Sequence, residues 1–142
     1  MDKIKIAIEM ATKYHGQQKY GDEPYINHLK RVYKSVKDAG YGEDYQIVAL
    51  LHDIIEDTNV GYDQIERLFG VKIASAIACL THDTKESYHE YLVYEVMHNE
   101  ISMVVKFFDV LDNFEHSILN EKYSSLTKKY KKALHTLVFE GK

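Results

Sequence analysis

The stretch Ile47-Val48-Ala49-Leu50-Leu51-His52-Asp53-Ile54-Ile55-Glu56-Asp57-Thr58 constrains this chain more than any other. A helix over 44–56 is apolar on nearly every side, so it has no face to give to water. It is read as the buried central helix of a helical fold. Yet it carries His52, Asp53, Glu56 and Asp57. An ionised group buried without a partner is strongly destabilised or shifts its pKa. Four such groups together call for one explanation. Residues three and four apart share a helix face, so His52, Asp53 and Glu56 can address one cavity. An imidazole and carboxylates converging on a point suit a divalent cation. For a His-Asp pair alone, a helix end with a hydrogen-bonded histidine and solvated acids is the plainer reading.

The remaining chain reads as more helix. Ile4, Ile6, Ala7, Ile8, Met10, Ala11 and Tyr14 form a broad stripe over 3–14, closed by His15-Gly16. Residues 17–23 read as a loop. Pro24 suits the first turn of a second helix, continued by Ile26, Leu29, Val32, Tyr33 and Val36. Thr58 to Gly61 reads as a turn. Further helices are expected at 62–69, 71–80, 88–98, 100–118 and 125–139, with a polar loop at 81–87. One proline and seven glycines are too few for a many-stranded β protein, and no strand is expected. The expected fold is all-α, a single domain over residues 1–142 built as a bundle of about seven or eight helices.

Composition narrows the class. With 45% hydrophobic and 28% charged residues, the chain has the balance of a soluble globular protein. The single cysteine, Cys79, excludes an intramolecular disulfide framework and a Cys-rich zinc site, and reads as a packed thiol. No apolar run is long enough for a transmembrane helix. The first nine residues carry charge at Asp2, Lys3, Lys5 and Glu9 and do not read as a signal peptide, so a cytoplasmic setting is expected. A net charge of −4 does not point to a nucleic-acid partner, and oligomeric state is left open.

Two other places bear on the His-Asp pair. His28 lies on the second helix in Asp22-Glu23-Pro24-Tyr25-Ile26-Asn27-His28, and Asp109 is an acid after the apolar Val104-Val105-Lys106-Phe107-Phe108. Asn113 follows four residues on, on the same face. A site of His28, His52, Asp53 and Asp109 would draw on three helices and offer two nitrogen and two oxygen ligands. Such mixed ligation without thiolate suits manganese, iron or zinc alike.

These residues carry a resemblance. Gly16-Gln17, then Glu23-Pro24-Tyr25-Ile26 and His28, then Leu51-His52-Asp53 with Glu56-Asp57-Thr58, then Phe69-Gly70, Leu80-Thr81, and Lys106 with Asp109 and Asn113, resemble the HD-domain metal-dependent phosphohydrolases. The chain is most similar to their RelA/SpoT-type alarmone hydrolase branch and its small stand-alone members. The resemblance implies His28, His52, Asp53 and Asp109 as metal ligands. Manganese is the usual family metal, with iron, zinc, magnesium and cobalt as other candidates. It implies Glu56 and Asp57 as the catalytic acidic pair that positions or deprotonates the attacking water. It implies Asn113 as a nucleotide contact, and removal of the 3′-pyrophosphate from guanosine tetra- or pentaphosphate as the reaction. Lys19 stands where the family usually has a base-stacking arginine, and Val110 where it often has another. Tyr20 or Tyr25 could supply a π-face instead, and Lys106 is read as a phosphate contact. Two rival readings stay open: a phosphohydrolase acting on another nucleotide, and a non-catalytic metal-binding nucleotide sensor.

Weaker features remain. Lys128, Lys129, Lys131 and Lys132 read first as the solvated face of a terminal helix, and second as a steering patch for an anionic nucleotide. His82 with Asp83 and Lys85 reads equally as a capping turn or a loop over substrate. His15, His89, His98, His116 and His135 read as surface or packing residues.

Overall fold

The computed structural model describes residues 2–119 and 124–140. Helix α1 (Lys3–His15) begins where the Asp2 carboxylate accepts the Lys5 N–H, at 3.1 Å, and stops at Gly16. Residues 17–23, expected as plain loop, instead contain a minimal antiparallel hairpin, β1 (Lys19–Tyr20) paired with β2 (Glu23–Pro24). Gly21, with φ of 60°, turns the hairpin. Pro24 therefore ends β2 and caps α2 (Tyr25–Asp38), standing one residue before the helix rather than in its first turn.

The central helix is broken where the sequence reading runs it straight through. Helix α3 (Glu43–Leu51) ends at His52, and a short α4 (Ile54–Asp57) resumes after Asp53. Asp53 adopts φ −104° and ψ 4°, the bridge region that interrupts a helix without requiring glycine. Residues Ile47 to Leu51 and Ile54 are fully buried, and α3 packs against α1, α2, α6 and α8. The core therefore surrounds this helix, as its all-round apolarity requires.

Helices α5 (Tyr62–Phe69) and α6 (Val71–Leu80) meet at Gly70, whose φ of 94° and ψ of 169° make the corner. Ser87 and Glu90 form a reciprocal cap on the single turn α7 (Tyr88–Glu90). The chain then widens into a π-turn, Tyr91–Glu95, and tightens into a 3-10 turn, Val96–His98. The expected helix over 88–98 is thus helical but irregular. Adjacent Tyr91 and Leu92 are both buried there, and the Tyr91 hydroxyl donates to the Leu80 carbonyl. Helix α8 (Glu100–Leu119) crosses α2 and α3, and α9 (Ser124–His135), followed by a π-turn at Thr136–Glu140, packs back on α8.

Candidate metal centre

Three regions of the fold meet at one buried point. His28 comes from α2, His52 and Asp53 from the break between α3 and α4, and Asp109 from the middle of α8. One ligand atom from each lies within 4.8 Å of every other. His28 Nε2 is 2.9 Å and His52 Nε2 3.2 Å from Asp109 Oδ1, and His52 Nε2 is 3.1 Å from Asp53 Oδ2. His28, His52 and Asp109 are almost fully buried. The helix break matters here: Asp53 leaves the helical path and lies beside the imidazole of the residue before it.

The outer nitrogen of each imidazole is tied away from the cluster. His52 Nδ1–H donates to the Ala49 carbonyl at 2.7 Å. His28 Nδ1 is 2.6 Å from Asp112 Oδ2. Asp112 is in turn gripped by Arg31, Nε to Oδ1 at 2.9 Å and Nη2 to Oδ2 at 3.1 Å, and Arg31 Nη1 reaches Glu23 Oε1 at 2.5 Å. Such outer bonds fix ring orientation and turn both Nε2 atoms inward, the arrangement found around metal-binding histidines. Two imidazole nitrogens and two carboxylate oxygens, preset this way, fit a divalent cation with nitrogen and oxygen ligands.

The electrostatics are tightly coupled. Burial lowers the His28 and His52 pKa values, but the carboxylates around them outweigh it and leave both raised. Burial raises Asp109, yet Lys106 and His52 hold it well below the usual carboxylate range. Lys106 is itself buried; its Nζ donates to Asp109 Oδ2 at 3.0 Å and lies 5.3 and 5.7 Å from the Tyr91 and Tyr88 ring centres. It is engaged with Asp109 rather than directed at open solvent.

Of the other candidate residues, Tyr20 and Tyr25 touch this cluster. The Tyr25 hydroxyl donates to Asp53 Oδ2. Tyr20 stacks parallel on His28 at 4.4 Å, and its hydroxyl donates to Asn113 Oδ1 at 2.8 Å. Lys19 is exposed on β1 and makes none of these contacts. Glu56 and Asp57 stand at the solvent side. Glu56 Oε1 accepts the His82 N–H at 2.7 Å, and Asp57 Oδ2 accepts from Gln18 Nε2 at 3.0 Å. Partial desolvation first, and the Asp53 charge further down, push both carboxyls above their ordinary values. Glu56 is not among the residues whose ligand atoms converge, and the helix that carries it starts after the break at Asp53.

Sequence reasoning missed Asp112, Arg31, Gln18 and the part played by His15. His15, read as a surface or packing residue, is buried, and its Nδ1 meets Gln18 Oε1 at 2.8 Å, extending the chain of contacts to Asp57. The spacing offered a signal: Asp109 and Asp112, like His28 and Arg31, are three apart and share a helix face.

Comparison with known proteins shows what this chain resembles. The HD domain model matches residues 7–87, more than half of the chain. That span contains His28, His52, Asp53, Glu56 and Asp57; Asp109 and Asn113 lie beyond it. A guanosine-3′,5′-bis(diphosphate) 3′-pyrophosphohydrolase of Aquifex aeolicus is 32% identical over 120 residues, covering 79% of this chain and 17% of the relative. The MESH1 enzyme of the same description from Drosophila melanogaster is 33% identical over 86 residues, 57% of this chain and 48% of the relative. The chain thus spans under half the length of these curated relatives. A solved structure of a metazoan ortholog of SpoT, described as hydrolyzing ppGpp, superposes with a TM-score of 0.81 at 21% identity, over 98% of this chain and 86% of the other.

Proposed function

The chain belongs to the HD domain family, and from that premise we propose that it is a divalent-metal-dependent phosphohydrolase acting on a phosphorylated nucleotide. The supporting observation is the convergence of two imidazoles and two carboxylates from α2, the α3–α4 break and α8, with every outer imidazole nitrogen tied back. In this reading His28, His52, Asp53 and Asp109 hold the cation, manganese being the first candidate. The bound cation supplies Lewis acidity toward a phosphoryl oxygen and eases ionisation of water near neutral pH.

The remaining steps belong to the protein. Glu56 has its Oε1 fixed by the His82 N–H, which leaves Oε2 to take a proton from the attacking water. Asp57, held by Gln18, orients that water. Lys106 offsets the Asp109 charge, and Tyr25 fixes Asp53. The Tyr20–Asn113 pair and the small cavity they share with His116 and Tyr130 receive the nucleoside.

The leading substrate is guanosine 3′,5′-bis(diphosphate), cut to GDP and pyrophosphate; the two relatives' stated activities support it. A different nucleotide is the second reading, favoured by the exposed Lys19 and by the Tyr20 hydroxyl, already engaged by Asn113. Among the described residues no helix is long and apolar enough to cross a membrane, in keeping with action on a dissolved nucleotide. Elemental analysis of the purified protein, with pyrophosphate release measured over a nucleotide panel plus manganese, tests the proposal. Bound metal with turnover supports it. Metal without turnover of any nucleotide favours the sensor reading, and no bound metal removes both.

A further inference from the structure

Among the described residues, one buried side-chain polar atom has no hydrogen-bond partner, and it is Nε2 of His15. The residue is 5% exposed and ends α1. A buried polar atom left unpaired is destabilising, and a leucine of similar bulk would fill the same place without it. Packing therefore does not account for an imidazole here. The other ring nitrogen does: Nδ1 is 2.8 Å from Gln18 Oε1, and Gln18 Nε2 donates to Asp57 Oδ2 at 3.0 Å.

Donors and acceptors along this chain of contacts fit in one order. An ionised Asp57 only accepts, so Gln18 must turn its NH2 group toward it. Oε1 then faces His15, and the imidazole must carry its proton on Nδ1. A proton on Nε2 instead would orphan a buried N–H and set the Nδ1 lone pair against the Gln18 oxygen. Rotating the amide would relieve that clash only by placing Oε1 against the Asp57 carboxylate. The backbone of Gln18 is fixed as well. Its N–H donates to the His15 carbonyl at 2.9 Å, and its carbonyl accepts from the Tyr25 N–H at 3.0 Å. What is left to set is the side-chain amide, and the imidazole sets it.

We propose that His15 is a positioning residue for Asp57: its Nδ1–H holds the Gln18 amide with the NH2 group toward the carboxylate that orients the attacking water. This rests on the phosphohydrolase reading above. His15 acts through Gln18 and is not among the converging ligand residues. Its ring also lies 4.9 Å from that of Tyr25, whose hydroxyl bonds Asp53, so an effect by that route would appear in metal affinity rather than in rate.

The test compares manganese-loaded variants hydrolysing guanosine 3′,5′-bis(diphosphate), with manganese affinity measured by chelator competition. His15→Leu keeps the bulk and removes the donor. It should lower kcat about tenfold, the worth of one hydrogen bond, with KM and manganese affinity within about twofold and no fall in the denaturant midpoint. Gln18→Ala should lower kcat by about as much, and the double variant should be no slower than Gln18→Ala alone. His15→Asn offers an amide N–H where Nδ1–H stood, and should recover to within about threefold of the unaltered protein. An unchanged kcat in His15→Leu, a double variant slower than either single one, or His15→Asn no faster than His15→Leu overturns the proposal. So does a loss of manganese affinity in place of rate. Independently of turnover, ring ¹⁵N shifts of His15 in metal-free protein at about pH 8 show which nitrogen is protonated. A protonated Nδ1 supports the lock, and a proton on Nε2 alone overturns it. If the unaltered protein hydrolyses no nucleotide, the phosphohydrolase reading falls and the tautomer decides the lock by itself.

Discussion

Asp112 acts on the cluster from outside it. It holds His28 by Nδ1 and is gripped at two points, Nε and Nη2, by one edge of the Arg31 guanidinium. Outer partners of this kind orient a ligand and raise its basicity, and losing one typically costs about 10–100-fold in metal affinity. Asp112→Ala should therefore weaken manganese binding by about that factor, measured by competition with a chelator. Arg31→Lys should weaken it in the same direction, because an ammonium cannot reproduce the two-point grip. At Glu56 the expected effect is on rate alone. Glu56→Gln should lower kcat by about 10²–10⁴-fold with metal content unchanged. Partial desolvation raises the Glu56 carboxyl above its ordinary 4.5, and a general base works only when ionised. The rate should thus fall as pH drops through a limb lying above 4.5, and that limb should vanish in Glu56→Gln. A limb that persists in the variant would assign it to another group.

At the scale of elements, two departures from regular structure set the geometry. The break between α3 and α4 turns Asp53 toward the cluster, and Ile54, fully buried, pins α4 after it. Ile54→Ala should cost about 2–5 kcal/mol in denaturant unfolding, as truncations of filled core sites do. It should also weaken metal binding, because Ile54 directly follows the ligand Asp53 and is its fully buried anchor. The second departure is the α5–α6 corner. Gly70 occupies a region of backbone space open almost only to glycine, and a Cβ there meets nothing within 4 Å. Gly70→Ala should therefore lose about 1–3 kcal/mol from backbone strain alone, with metal affinity unchanged. The hairpin β1–β2 contributes differently. It is too short to be stable by itself, yet it delivers Tyr20 onto His28 and Asn113.

Over the whole molecule, the cluster is a joint between helices distant in sequence. A cation that binds only the folded chain should stabilise it by about 2.7 kcal/mol at a hundredfold excess over its Kd. Thermal melts with manganese and with chelator should differ accordingly, and Asp109→Ala should abolish the difference. Much of this was legible beforehand. Apolar residues at three- and four-residue steps specify helices, and the all-round apolarity of 47–55 placed α3 at the centre. His52, Asp53 and Asp109 stood out as polar groups where burial was certain. The break at Asp53 was not legible, since no glycine or proline marks it. Asp112 and Arg31 were passed over because charged residues three apart from a neighbour are ordinary on solvated helices, and Gln18 because a neutral amide in a loop carries no signal. Their bonds to Asp57, His28 and Asp112 span 39 to 84 residues and are chosen by packing. Local periodicity, being a property of neighbours along the chain, thus determined the helices and the short set of polar side chains with nowhere to go. Which of those side chains meet depends on crossing angles and contact distances between helices. Only the packed fold decides those.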